Sequence, residues 1–234
     1  MTVSHHELWV FGYGSLMWRP DFSHVERVRA RLTGYSRRFC VASVHHRGSA
    51  ARPGLVLGLD RGGVCEGVAY RVPVGETHCV LRYLRAREQV NGVYREAVLP
   101  VEIEGELART VQAVTYLVER AHPSYAGHLP IKTQARLIRG ARGLSGINLD
   151  YVINTLRHMN ELGIRERELE RLMVELGGFF ARDAGSGLVS PRAEVLRRVA
   201  LHQGRADQLV RRMRPDLRRR FGYRQKIGAT IGPE

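Results

Sequence analysis

Hydrophobic positions along the chain follow mostly the patterns of strands up to about residue 118 and afterwards the spacing of about 3.6 residues seen in helices. Residues 8–11 are an unbroken apolar run ending at Gly12, which predicts a buried strand opening into the tight loop Gly12-Tyr13-Gly14-Ser15. Residues 27–32 alternate basic and apolar side chains, as a second strand would. Residues 45–53 are polar and rich in glycine and proline, as a loop is. Two apolar runs, 55–59 and 64–72, flank Asp60-Arg61-Gly62-Gly63, a hairpin signal. Residues 77–88 set Val80, Leu81 and Leu84 on one face of a short helix. Residues 94–101 and 110–118 read as strands around the turn Glu104-Gly105-Glu106.

Beyond that point the pattern is helical. One helix is predicted over 131–138. Leu149, Val152, Ile153, Leu156 and Met159 form a second helical stripe, closed by Gly163 as a C-terminal cap, and a third helix covers 165–176. Residues 177–191 contain Gly-Gly, Gly-Ser-Gly and Ser-Pro and predict a break. The chain is therefore expected to hold a domain over residues 1–180, then a linker and a basic, mostly helical extension over 181–234, interrupted at Gly204 and Pro215. Strands early and helices late give an α+β fold.

Composition narrows the class. The 234 residues are 44% hydrophobic and 26% charged, ordinary for a globular protein able to bury a core without staples. No apolar run approaches the length of about 20 residues that a membrane span needs, and residues 1–7 are polar, without a signal-peptide core. The three cysteines, Cys40, Cys65 and Cys79, are widely spaced and odd in number. A reducing cytoplasm fits them, and each reads as a small buried hydrophobe. The net charge is +14, and only Lys132 and Lys226 among the basic residues are lysines. Residues 192–226 hold twelve basic and three acidic side chains, a net of +9. That excess is expected to favour weak contact with polyanions; an arginine-rich proteome is the competing explanation.

Candidate chemistry gathers at the glycine loop and at one acidic residue. Gly12-Tyr13-Gly14-Ser15-Leu16-Met17 begins like a dinucleotide fingerprint, but Met17 stands where the third glycine belongs. It fails as a nucleophile elbow too, because no glycine follows two residues after Ser15. What remains is an ordinary tight turn, or a nest of backbone N–H groups suited to a carboxylate. Glu88 follows Arg87 at the end of the short helix and by position alone is a surface glutamate. His5-His6 and His45-His46 lack the spacing and carboxylate partners of a metal site, so no metal is expected.

Four blocks, in order, resemble the ChaC family of γ-glutamylcyclotransferases over residues 8–176. They are Trp9-Val10-Phe11-Gly12-Tyr13-Gly14-Ser15-Leu16-Met17-Trp18-Arg19-Pro20; Gly34-Tyr35-Ser36-Arg37-Arg38-Phe39-Cys40 with His46-Arg47-Gly48-Ser49 and Pro53-Gly54-Leu55; Tyr83-Leu84-Arg85-Ala86-Arg87-Glu88 with Tyr94; and Ala141-Arg142-Gly143-Leu144-Ser145-Gly146-Ile147-Asn148-Leu149-Asp150-Tyr151. Ser49 stands where threonine is expected, and the basic tail lies outside the resemblance.

The resemblance implies a small mixed β-barrel with flanking helices. It also implies a reaction, the conversion of glutathione to 5-oxoproline and Cys-Gly without a cofactor. Glu88 is implied as the catalytic base, and Val10, Phe11, Gly12, Tyr13, Gly14, Ser15, Leu16 and Tyr94 as substrate-binding residues. Loop N–H groups, or Ser15, would face either the substrate α-carboxylate or the tetrahedral oxyanion. Arg37 or Arg47 could hold the glycine carboxylate, against the plainer reading of each as a solvated surface arginine. A non-catalytic γ-glutamyl-binding module and a cyclotransferase for other γ-glutamyl-amines are the alternatives, and the oligomeric state is left open.

Overall fold

A computed structural model describes residues 7–89, 91–105 and 108–183. Five strands form a closed barrel in the order β1-β3-β2-β4-β5, with β1 at Trp9–Gly12, β2 at Glu26–Ser43, β3 at Gly54–Arg71, β4 at Tyr94–Ile103 and β5 at Arg109–Val118. Neighbours are antiparallel except where β1 closes the ring against β5, Trp9 beside Ala113 and Val10 beside Val114. The helices are α1 (Thr77–Glu88), α2 (Ile131–Arg139), α3 (Asn148–Glu161) and α4 (Arg167–Asp183), with a two-stranded ribbon, Arg142–Gly143 and Gly146–Ile147, between α2 and α3. The expected α+β class and mixed barrel are both present. The extension from 184 onward lies outside the described residues.

The apolar run of β1 is unbroken because both its faces are buried. Trp9 and Phe11 enter the main core, and Val10 joins a second cluster with Leu16, Val72, Val114 and Tyr116. Val80 and Leu84, the apolar face of α1, complete that second cluster. The helix therefore docks across β1, and its C-terminal end carries Glu88.

The predicted hairpin at 60–63 is not a turn. β3 runs straight through it, and the chain reverses instead between Ser43 and Gly54. Gly62 (φ 95°) and Gly63 (φ 82°) oppose the single Gly34 (φ 90°), and the register shifts there. Two residues facing one is the geometry of a β-bulge, and glycines at positive φ suit a bulge as well as they suit a turn. β2 also extends well beyond the predicted 27–32, because its later charged positions are satisfied inside the structure. Gly163 (φ 68°) caps α3 as expected, with Ile164 N–H on Met159 O at 2.9 Å and Gly163 N–H on Asn160 O at 3.0 Å. α4 continues through Gly177 and Gly178 to Asp183, past the point where a break was predicted.

Beside the bulge, the buried carboxylate of Asp60 accepts hydrogen bonds from Arg120 Nε (2.7 Å), Tyr125 Oη (2.7 Å) and Arg61 N–H (2.8 Å). Burial pushes its pKa up, but these donors outweigh burial and hold it below the usual aspartate value. A depressed folded-state pKa adds stability above the unfolded value of about 3.9, and this is lost as pH falls through the folded value. Asp60→Asn should therefore destabilise the fold by about 1–3 kcal/mol at pH 7, measured by urea titration. The gap to wild type should close in acid below about pH 4; a pH-independent gap would contradict this account.

Candidate active site

Glu88 is the last residue of α1, and its side chain is only 18% exposed. The helix brings its final turn against the loop that leaves β1. Arg87 fixes that junction: Nε lies 3.2 Å from Glu88 Oε1, Nη2 donates to Ser15 Oγ at 2.9 Å, and Nη1 donates to Arg19 O at 2.7 Å and to Tyr83 Oη at 2.7 Å. Asp21 lies 3.5 Å from the same guanidinium. Arg85 and Arg87, in the last turn of α1, also suit the negative end of the helix dipole.

The loop turns its carbonyls inward. Phe11 O accepts from Thr115 Oγ1 (3.0 Å), Tyr13 O from Arg37 Nε, Gly14 O from Met17 N–H (2.9 Å), and Leu16 O and Met17 O from Tyr70 Oη (3.0 and 2.7 Å). Among the described residues, the N–H groups of Gly14, Ser15 and Leu16 have no acceptor. The loop also closes tightly on Gly12, where a Cβ would lie 3.0 Å from Leu16 Cβ and 3.2 Å from Met17 N. That close approach is why glycine is needed there.

Among the described residues, five tyrosines lie within electrostatic reach of the Glu88 carboxyl: Tyr83 and Tyr116, and three that are fully enclosed. Tyr13 comes from the loop, Tyr94 from the start of β4, and Tyr151 from α3. Burial, reinforced by neighbouring acidic groups that include Glu88, raises the pKa of Tyr13 and Tyr94 well above normal and pushes Tyr151 up to about 12. All three stay neutral at physiological pH. Tyr94 Oη donates to Leu57 O at 2.6 Å. Burial raises the pKa of Glu88 as well, and Arg87 partly opposes the rise.

The structure thus brings together Glu88, Tyr13, Gly14, Ser15 and Tyr94 from the expected set. Val10, Phe11 and Leu16 bury their side chains in the two apolar clusters, so only their main chain can face a ligand. Tyr151 was not singled out beforehand. It is set by Asn148, which is fully buried and makes two bonds to the Leu55 main chain: Oδ1 from Leu55 N–H at 2.6 Å and Nδ2 to Leu55 O at 2.8 Å. One turn later Tyr151 faces the site. An asparagine three residues before a tyrosine on an amphipathic helix was the available signal.

Neither arginine considered for a substrate carboxylate is a solvated surface residue. Arg37 is buried, and Arg47 is half-buried over the Tyr151 ring, 5.3 Å from its centroid, donating to Ile147 O at 3.2 Å. Burial also lowers the pKa of Arg47. Cys40 and Cys65 are buried as expected, whereas Cys79 is exposed. His45 and His46 are exposed, and His5-His6 lie outside the described residues.

A family model described as ChaC-like protein matches residues 8–177. The glutathione-specific γ-glutamylcyclotransferase of Escherichia coli (strain K12) is 33% identical over 184 residues, covering 79% of each chain. The mouse glutathione-specific γ-glutamylcyclotransferase 1 is 36% identical over 174 residues, covering 73% of this chain and 78% of its own. The crystal structure of a yeast γ-glutamyl cyclotransferase specific to glutathione superposes with a TM-score of 0.66 at 23% identity, over 74% of this chain and 99% of that one; this is a likeness of fold.

The electrostatics of Glu88 can be tested without any substrate. Its carboxyl should titrate by ¹³C NMR above the ordinary value of 4.5, since burial is the dominant influence. Arg87→Gln should move the midpoint further up, because the guanidinium is what favours the anion. A midpoint at or below the ordinary value, or a downward move in the variant, would refute this picture.

Proposed function

The chain belongs to the ChaC-like family, and from that premise we propose that it is a glutathione-specific γ-glutamylcyclotransferase with Glu88 as its acid–base residue. The observation that carries the proposal is a desolvated carboxyl, raised in pKa, at the helix end that meets a glycine loop with unpaired N–H groups. The α-amine of the γ-glutamyl unit attacks its own γ-carbonyl. The nucleophile is already tethered, and well-oriented intramolecular closures reach effective molarities on the order of 10⁵ M or more. Glu88 accepts the proton from the amine and returns it to the departing cysteinyl nitrogen, leaving 5-oxoproline and Cys-Gly. A carboxyl shifted toward neutrality suits both transfers.

The loop N–H groups of Gly14, Ser15 and Leu16 supply donors for an anionic group of the substrate, either its α-carboxylate or the oxyanion of the tetrahedral intermediate. Neutral Tyr13, Tyr94 and Tyr151 line the pocket without adding charge, which leaves the Glu88 carboxylate to draw the substrate ammonium. On this reading the chemistry belongs to residues 1–180. Three free thiols suit a cytoplasmic setting. The net charge of +9 over residues 192–226 supports weak polyanion binding by the extension.

Glu88→Gln should still bind glutathione, because the amide keeps the shape of the pocket, while turnover to 5-oxoproline falls by about 10²–10⁴-fold. Retention of half the wild-type rate would falsify the assignment. Reduced glutathione should also be preferred over γ-glutamyl-alanine and over oxidised glutathione, and comparable kcat/KM for all three would remove the claim of specificity. Truncation after Ala184 should lower the salt needed to elute the protein from heparin, and unchanged retention would remove the polyanion claim.

A further inference from the structure

Arg37 is the most deeply buried charge in the described structure, with a side chain that is 0% exposed. It lies on β2 and bonds the glycine loop at Tyr13 O, whereas Arg87 bonds it at Ser15 Oγ. The Arg37 guanidinium reaches four elements. Nε donates to Tyr13 O, Nη2 donates to Glu66 O on β3 and lies 3.6 Å from Met17 Sδ, and Nη1 donates to Glu166 Oε2 at 2.9 Å. Among the described residues, Glu166 is the one carboxylate within ion-pairing distance of Arg37.

A buried cation without a counterion is costly, so the position of Arg37 depends on Glu166. Glu166 immediately precedes α4, and its own carbonyl accepts the Glu170 N–H at 3.0 Å. α4 is in turn seated by Leu169, Leu172 and Leu176 in the main core. The carboxylate is thus held at a fixed place by a helix far from β1 in sequence.

The link to the site runs through one peptide plane. In a trans peptide the carbonyl oxygen and the following N–H point in opposite directions, and the chain has no cis bonds among its described residues. Drawing Tyr13 O inward onto Arg37 therefore turns the Gly14 N–H outward. Space is open beside Gly14: a Cβ built there would meet only Leu57 Cδ1, at 3.9 Å, and Leu57 carries the carbonyl that receives Tyr94 Oη.

We propose that Glu166 is a positioning residue for the glycine loop, acting through Arg37 to orient the Tyr13–Gly14 peptide so that its N–H faces the substrate. The proposal rests on the cyclotransferase reading above for what the loop holds. It assigns to the residue just before α4 a role in substrate affinity.

The test compares Glu166→Ala with Glu166→Gln in the full chain. The amide oxygen of glutamine can still accept from Arg37 Nη1, so glutamine should rescue in part. KM for glutathione should rise about tenfold or more in Glu166→Ala, the scale of losing one charged hydrogen bond. With the loop N–H groups on the substrate α-carboxylate, it should rise less in Glu166→Gln and kcat should stay within about threefold of wild type in both. The Gly14 amide resonance, which needs no turnover, should shift in Glu166→Ala and shift less in Glu166→Gln. A lowered Tm with unchanged KM and an unmoved Gly14 resonance would overturn the proposal in favour of a purely structural ion pair, as would a Glu166→Gln chain that does not fold. A wild-type protein that leaves glutathione intact sinks the cyclotransferase reading alone; the Gly14 resonance then still decides the positioning role.

Discussion

Closure of the barrel rests on four residues. Trp9–Gly12 lie antiparallel to β3 and parallel to β5, and that second pairing joins the ends of the sheet. A strand this short holds because both its faces are apolar and each meets a different cluster. The same pairing decides where the chain leaves the barrel, and so where the glycine loop lies. α1 docks on the outer face of the strand and delivers Glu88 to that exit. A shift of β1 by one residue would exchange the two clusters and carry the loop away from the carboxyl.

Around this junction the protein places its charges with an asymmetry. Arg87 stands mostly buried at the end of α1, and secures the loop by its carbonyls and the Ser15 hydroxyl. Arg37 stands on β2, dry, and secures the Tyr13 carbonyl. Both cations bind the loop by its oxygen atoms, and its N–H groups are left to face outward. Glu88 sits between burial, which favours its neutral form, and Arg87, which favours its anion.

The sequence made some of this legible and concealed the rest for physical reasons. α1 was readable from Val80, Leu81 and Leu84, and α3 from its stripe and Gly163, because one face of each is apolar and the other wet. Asp60-Arg61-Gly62-Gly63 misled because turns and bulges make the same demand for positive φ, and only the partner strand tells them apart. Arg37 looked like a solvent-facing residue because an arginine does not announce its carboxylate, here 129 positions away. Glu88 by itself resembled any surface glutamate; the resemblance of its surrounding block singled it out. Tyr151 was hidden because its placement depends on Asn148 gripping a strand that comes much earlier in the chain.

That grip has a further consequence for β3. Leu55 and Leu57 point their main-chain groups to the same side of the strand, away from β2. On that side Asn148 occupies the N–H and carbonyl of Leu55, and Tyr94 occupies the carbonyl of Leu57. An open strand edge is ordinarily an invitation for another polypeptide to add itself by backbone pairing. Here the N–H and carbonyl of Leu55 and the carbonyl of Leu57 are already taken by side chains. Over Leu55 and Leu57 the strand therefore leaves fewer backbone groups for a second chain to pair with.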